Sequence, residues 1–219
     1  ISITDTPFTL APYGDVAYLT REMVGTNIEQ SVTQVLKKMT QLAGETVDVV
    51  LRDSFGGGTS VYRAGAVATR AEVASGVDVD ELDRITETLM NNKADPFTSL
   101  VKGGQNVGTT PIPASYLAYC STRLYRDIKA LDGFQSVEKY AGYTSTYPYE
   151  VGIRDRIRFI CTPNSLQWAN AATDTSTGYY NTTGDSKNDV FGILIFGQDA
   201  VAKFPFSSET AETHFEDFG

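Results

Sequence analysis

Residues 151–161, with the sequence VGIRDRIRFIC, carry the strand pattern that decides the fold class of this chain. The pattern predicts one continuous strand whose Ile157 and Phe159 point to one face, because successive side chains of a strand alternate. The opposite face is predicted to carry a row of arginines: Arg154, Arg156 and Arg158. The chain therefore holds at least one strand that is apolar on one side only.

Two further segments are predicted to be buried strands, residues 116–120 (YLAYC) and 189–197 (DVFGILIFG). Helix signals interrupt the strand signals, and no internal repeat is visible. Asp78-x-x-Glu81 is an acidic capping box that starts one helix, and Ser121 or Thr122 is placed to cap a shorter one. This mixture of strands and helices predicts an α+β fold.

The longest helix is predicted over residues 27–54, after a capping box formed by Thr26-x-x-Glu29. We expect it to kink near Gly44 and to stop at the three glycines that start at Gly56. About 27 residues with a rise of 1.5 Å each make a rod of roughly 40 Å. One apolar face is expected to be buried: Ile28, Val32, Val35, Met39 and Leu42. Such a rod suits a coiled coil or the spine of a flat molecule.

Composition excludes several classes of protein. The 219 residues are 41% hydrophobic and 21% charged, which is a globular composition. The net charge of −9 argues against the basic patch of a usual nucleic-acid binder. No apolar run approaches the roughly 18 residues of a membrane-spanning helix. His214 is the single histidine, so a catalytic triad would have to depend on it.

The two cysteines and the chain ends give weaker information. Cys120 and Cys161 lie in apolar, strand-like contexts whose spacing fits neither a zinc site nor a disulfide framework, so we expect two buried thiols and a reducing compartment.

The first residue is Ile1, with no signal-peptide pattern after it. We expect both natural ends of the protein to be missing from this sequence.

Candidate catalytic and metal sites are weak. The acids at 78, 80, 81 and 83 lie where a helix begins, and negative charge is favourable there without a metal. Asp174, Asp185 and Asp189 match no known calcium loop. We therefore predict no enzyme activity, no cofactor and no metal. For the arginine row two interpretations stay open: solvated or intrachain-paired side chains, or contacts with acids of a neighbouring subunit.

Several segments together resemble one family of proteins. In the same order and with similar spacing, they are similar to segments of the major capsid proteins of tailed bacteriophages, in the family typified by N-four-like podoviruses. These segments are FTLAPYGDVAYLT at 8–20, LAGETVD at 42–48, VYRAG at 61–65, residues 80–97 with their ending NNKADPF, residues 116–131, and EVGIRDRIRFI at 150–160. Basic residues and Asp155 replace the family's glycines before the second half of the last strand, so we expect a different turn there.

The resemblance implies a phage capsid fold of the Hong Kong ninety-seven type, also called the Johnson fold. Its parts would be an extended loop arm, a long spine helix, a peripheral domain and an axial domain. The corresponding ranges are 1–25 for the arm (its second strand), 26–110 for the peripheral domain with the spine helix, 111–206 for the axial domain with a polar insertion at 174–189, and 207–219 for an acidic tail. We expect the arm to make few contacts within its own chain.

The resemblance also implies a structural function rather than catalysis. The chain would self-assemble as pentamers and hexamers into an icosahedral virion shell, in the host cytoplasm, around double-stranded DNA without sequence specificity. Portal, scaffold and cement proteins are further implied partners, and a membrane is not. The candidate inter-subunit contacts are the three arginines with Phe8, Leu10 and Tyr13. The alternatives are an encapsulin-like bacterial nanocompartment shell protein and, from a different class, a carboxylate-dependent hydrolase.

Overall fold

A computed structural model describes residues 13–26, 31–98, 112–140, 147–173 and 187–201. The chain divides into two compact units, Ile1–Arg52 and Asp53–Gly219. Several sequence predictions lie outside the described residues. They are the contacts at Phe8 and Leu10, the start of the long helix at Glu29, the polar insertion over 174–186, and the acidic tail.

The first unit contains two helices, α1 (Arg21–Thr26) and most of α2 (Ser31–Phe55). The predicted long helix is confirmed in its main part, and it ends at Phe55 as the glycines indicated. Thr26 is the last residue of α1, and Glu29, its predicted partner in the capping box, lies outside the described residues. α2 is one continuous helix through Gly44, and the expected kink is absent. A Cβ added at Gly44 would meet no atom within 4 Å.

The expected burial of the apolar face of α2 is wrong for Val32 and Leu42 and only partial for Val35 and Met39, while Ile28 lies outside the described residues. Among the α2 side chains that the structure describes, none is buried, and Leu42 has 44% of its surface exposed. Val32 is exposed, while Val35 and Met39 are half-buried. Helical periodicity reports that one face is apolar, but it does not report what covers that face. The apolar face of α2 is therefore an apolar surface that the described residues cover only in part.

The second unit is built on a five-stranded sheet. Its strands are β1 (Tyr116–Ser121), β2 (Gln135–Ser136), β3 (Glu150–Arg154), β4 (Ile157–Thr162) and β7 (Leu194–Phe196), in the order β2-β3-β4-β1-β7. β1 and β4 are parallel, and the other neighbours are antiparallel. A smaller sheet pairs β5 (Gln167–Trp168) with β6 (Val190–Phe191). The mixed α+β composition agrees with the sequence prediction.

Two helices cover one face of the five-stranded sheet. α3 (Val79–Asn91) begins as predicted after Asp78, whose carboxylate accepts a 2.6 Å hydrogen bond from the backbone N–H of Val79. This bond to the first helical residue stands in place of the predicted capping box with Glu81. After β1, the Ser121 hydroxyl accepts from the N–H of Arg123, and a short 3₁₀ turn leads into α4 (Tyr125–Ala130). The core between these layers joins α3, α4 and the central strands: Leu82, Ala118, Cys120, Leu124, Ile128, Ile157, Phe159 and Cys161.

The predicted single strand at 151–161 is a hairpin instead. β3 and β4 are joined by a two-residue turn at Asp155 and Arg156, and Asp155 has a φ of 50°. In the antiparallel register Ile153 pairs with Arg158, and Arg154 pairs with Ile157. Paired residues lie on the same side of a sheet and neighbouring residues of a strand on opposite sides, so Arg154 and Arg158 lie on opposite sides. The prediction of three arginines on one face is therefore wrong, because the turn reverses the chain between them.

The predicted strand at 189–197 is also divided. β6 and β7 belong to different sheets, and Gly192 stands between them. Its N–H donates a 2.8 Å hydrogen bond to the carbonyl of Leu166, and a Cβ here would lie 2.9 Å from the Leu166 side chain. The close approach of a distant segment therefore redirects the chain at this glycine. No described helix is long and apolar enough to cross a membrane.

Candidate functional site

Arg154 makes its ion pair within its own chain. Its two Nη atoms donate to the carboxylate of Asp83 on α3, at 2.7 and 3.2 Å, and its Nε donates to the carbonyl of Asp132 at 3.0 Å. The hydrogen bond to Arg154 lowers the pKa of Asp83, and the same bond raises the pKa of Arg154. This bidentate pair ties the hairpin to α3. An inter-subunit role for Arg154 stays a prediction, and it would have to coexist with this pair.

Arg158 lies inside the protein, with 1% of its surface exposed. Its Nε is 3.8 Å from Oε1 of Glu150, and its guanidinium carbon is 5.7 Å from the centre of the Tyr140 ring. The Tyr140 hydroxyl donates a 2.7 Å hydrogen bond to the same Oε1, and the N–H of Tyr147 donates to Oε2 at 2.9 Å. Burial, followed by the bond to Glu150, raises the pKa of Tyr140. The buried charge of Arg158 thus lies beside a carboxylate of its own chain. This agrees with the interpretation of intrachain pairing, although the side chain is not solvated.

Arg156 has the position that suits an external contact. It lies in the β3–β4 turn and its side chain is exposed, as is that of Asp155. Its backbone is held in place, because its carbonyl accepts a 2.7 Å hydrogen bond from the N–H of Tyr116 at the start of β1. The structure therefore separates the three predicted arginines into one tied to α3, one buried and one presented at the tip of a hairpin.

The described part of the arm, residues 13–20, has no helix or strand. Its aromatic side chains Tyr13 and Tyr18 are exposed, Tyr18 to 88%. Exposed aromatic groups in an extended segment are available to a partner, since burying each one removes a large apolar area from water. The other predicted arm contacts, Phe8 and Leu10, lie outside the described residues.

Sequence reasoning missed a cavity of about 380 Å³ in the second unit. Its walls come from the segment after α2, from α3 and from the strands β6 and β7. Most of the lining is apolar, including Val77, Leu82, Ile85, Phe191 and Ile193. No local sequence signal could have found it, because segments more than a hundred residues apart form it together.

Three of the predicted acidic residues have structural roles. Asp78 caps α3, Asp83 binds Arg154, and Asp189 accepts hydrogen bonds from the Gln167 side chain and the N–H of Asn170, at 3.2 and 2.8 Å. Within the described ranges, no group of three His, Cys, Asp or Glu side chains is placed to hold a metal ion.

No family model matches the chain. Among curated proteins it is similar to the major capsid protein of Pseudomonas phage KPP21, with 28% identity over 193 residues. The aligned region covers 84% of this chain and 48% of the phage protein, so the chain spans about half the length of that relative. This similarity supports a relationship to phage major capsid proteins.

Proposed function

We propose that the chain is a structural subunit that self-associates into the capsid shell of a tailed bacteriophage. The observation that carries this proposal is the similarity to a phage major capsid protein over 193 residues. The exposed surfaces are consistent with it, because an arm and a helix with open apolar groups gain stability when a neighbouring subunit covers them.

The finer architecture belongs to the same proposal. We assign the chain a Hong Kong ninety-seven type fold, with an arm at 1–25, a peripheral domain at 26–110, an axial domain at 111–206 and an acidic tail at 207–219. α2 would be its spine helix. The shell would be icosahedral, built from pentamers and hexamers in the host cytoplasm. The mixed sheet with covering helices supports this assignment.

The partners follow from the role of a shell. Packaged double-stranded DNA would be enclosed without sequence-specific contacts, and the net charge of −9 would limit adhesion of DNA to the inner wall. Portal, scaffold and cement proteins are the further partners of this proposal. Neither a cofactor nor catalysis is part of it.

Among the proposed inter-subunit contacts, Arg156 and Tyr13 are the described residues best exposed for the purpose. An arginine on a rigid turn can meet a carboxylate of the next subunit with little loss of side-chain freedom. Phe8 and Leu10 would extend the contact of the arm. Arg154 and Arg158 would contribute by holding the hairpin in position.

The test is assembly of the expressed protein, followed by size-exclusion chromatography, mass photometry and negative-stain imaging. We expect closed shells, and Arg156→Gln should lower their yield without changing the subunit melting temperature. Arg126→Gln, on an exposed position of α4, is the matched control and should assemble normally. A protein that remains monomeric at all concentrations and salt conditions would contradict the proposal. Shells that contain cargo protein instead of DNA would favour a nanocompartment.

A further inference from the structure

Cys120 and Cys161 meet in the core at the centre of the five-stranded sheet. They are direct register partners on the parallel strands β1 and β4, and their sulfur atoms are 3.1 Å apart. Both are free thiols, and they are the two cysteines of the chain. Sequence spacing gave no reason to pair them, because 41 positions separate them along the chain.

The placement meets the geometric demands of a disulfide. Neighbouring strands lie about 4.7–4.9 Å apart, which is inside the range of roughly 4.4–6.8 Å that disulfide-bonded Cα atoms span. A bond of about 2.05 Å requires the two sulfur atoms to approach by about 1 Å, which small side-chain rotations can supply. The two sulfur atoms are therefore within reach of a disulfide.

We propose that Cys120 and Cys161 form a dithiol site that a peroxide oxidises to a cross-strand disulfide between β1 and β4. In the first step the Cys161 thiol loses its proton and the thiolate attacks one peroxide oxygen. The O–O bond breaks, and the leaving hydroxide takes up that proton, so a sulfenic acid and water form. In the second step the Cys120 sulfur attacks the sulfenic sulfur, loses its proton, and releases a second water. Two thiols and one hydrogen peroxide thus give one disulfide and two waters.

The surroundings assign the two thiols different roles. The hydrogen bond from Cys120 lowers the pKa of Cys161, whereas that bond and burial raise the pKa of Cys120. Cys120 is fully buried, and Cys161 retains 5% of its surface exposed. The Cys120 sulfur is also 3.4 Å from the carbonyl oxygen of Ile160, a second acceptor for its proton. Cys161 is therefore the attacking thiol and Cys120 the resolving one.

The disulfide would stabilise the fold of the subunit. It would join the two central strands and close the loop that contains α4, β2 and β3, which restricts the unfolded chain more than the folded one. Oxidation should therefore raise the melting temperature, by about 5 °C or more for a loop of this length. This inference does not depend on the proposed function.

The experiment treats the reduced, folded protein with hydrogen peroxide well below its melting temperature. We expect the intact mass to fall by about 2 Da through loss of two hydrogens, with an internal peptide cross-link, a raised melting temperature and reversal by dithiothreitol. Two thiols that still react with maleimide in denaturant after the peroxide treatment would overturn the proposal. So would sulfinic acids or disulfides between chains as the main products.

Single variants test the order of the two steps. Cys120→Ser should retain a sulfenic acid at Cys161 that dimedone traps, and it should lose the rise in melting temperature. Cys161→Ser should react much more slowly with peroxide. Faster trapping in Cys161→Ser than in Cys120→Ser would overturn the assignment of the attacking thiol. If either variant fails to fold, the mass and peptide map of the unaltered protein still decide whether the disulfide forms.

Discussion

Arg154 and Asp83 join the hairpin to α3 through two hydrogen bonds, although they are 71 positions apart in the chain. The arginine side chain is 11% exposed and the aspartate side chain 53% exposed, so solvent reaches one end of the pair only. Fully exposed ion pairs contribute about 0–1 kcal/mol, and hydrogen bonds to charged groups about 1.5–3 kcal/mol. We therefore expect the contribution of the Arg154–Asp83 pair to the free energy of unfolding to lie between those two ranges.

The first prediction concerns the contribution of the Arg154–Asp83 pair to the free energy of unfolding. Asp83→Asn should reduce the free energy of unfolding by about 1 kcal/mol, because the amide cannot reproduce a bidentate ionic contact. Arg154→Gln should cost more, since it also removes the hydrogen bond to the Asp132 carbonyl. Urea unfolding of both single variants and the double variant gives the coupling energy. Glu87→Gln, exposed on the same helix and beyond its first turn, is the control, and strictly additive effects in the double variant would contradict direct pairing.

The second prediction concerns pH. Pairing holds the pKa of Asp83 below its usual value in the folded state. Such a carboxylate stabilises the fold above its unfolded pKa of about 3.9, and the contribution is lost as the pH falls through the folded pKa. The melting temperatures of the unaltered protein and Asp83→Asn should therefore differ at pH 6, and the difference should shrink as the pH falls below the unfolded pKa of about 3.9 and through the folded one. A difference that stays constant across this window would argue against the ionic origin.

The third prediction tests the buried cluster of Tyr140, Glu150 and Arg158. Tyr140→Phe removes the donor to Glu150 while the ring and its packing stay. Leaving a buried carboxylate oxygen without that partner should cost about 1–3 kcal/mol of unfolding free energy. Tyr149→Phe, at an exposed position, should change stability little. Equal stability of the two variants would mean that the Tyr140 hydroxyl is not needed.

The fourth prediction compares two glycines. Gly152→Ala should destabilise the protein strongly, because a Cβ there would collide with the Phe134 ring and the carbonyl oxygen of Gln135. Gly44→Ala should instead stabilise α2 by about 0.5–1 kcal/mol, since no atom stands near the new methyl group. Thermal unfolding monitored by circular dichroism distinguishes the two. Stabilisation by Gly152→Ala would contradict the close packing of β2 on β3.

Local signals predicted the elements whose cause is local. The cap at Asp78, the cap at Ser121 and the strand at 116–120 could be identified because a side chain near the helix start or an apolar run determines each of them. The strand pattern gave no sign of the turn at Asp155 and Arg156, because this turn carries none of the glycine or asparagine signals of a two-residue hairpin. Only the resemblance to the capsid family indicated a turn at this point.

The remaining errors come from contacts between distant segments. Gly192 divides a predicted strand because Leu166 packs against it, and the sequence near Gly192 contains no trace of that contact. The burial of Arg158 likewise depends on Tyr140 and Glu150. For the candidate site, the sequence indicated three arginines. Only the strand pairing in the structure shows that Arg156 is the one whose side chain is exposed at the turn.

The parallel pairing of β1 with β4 has a consequence for how the subunit folds. β3 and β4 are adjacent in the chain, so their hairpin can close early, on the timescale of microseconds. β1 can pair with β4 only after the chain between them has folded back so that the two strands lie side by side. Such non-local pairing slows folding, because the chain loses entropy before the contact forms. A newly synthesised chain therefore holds β1 with an unpaired edge until β4 has left the ribosome.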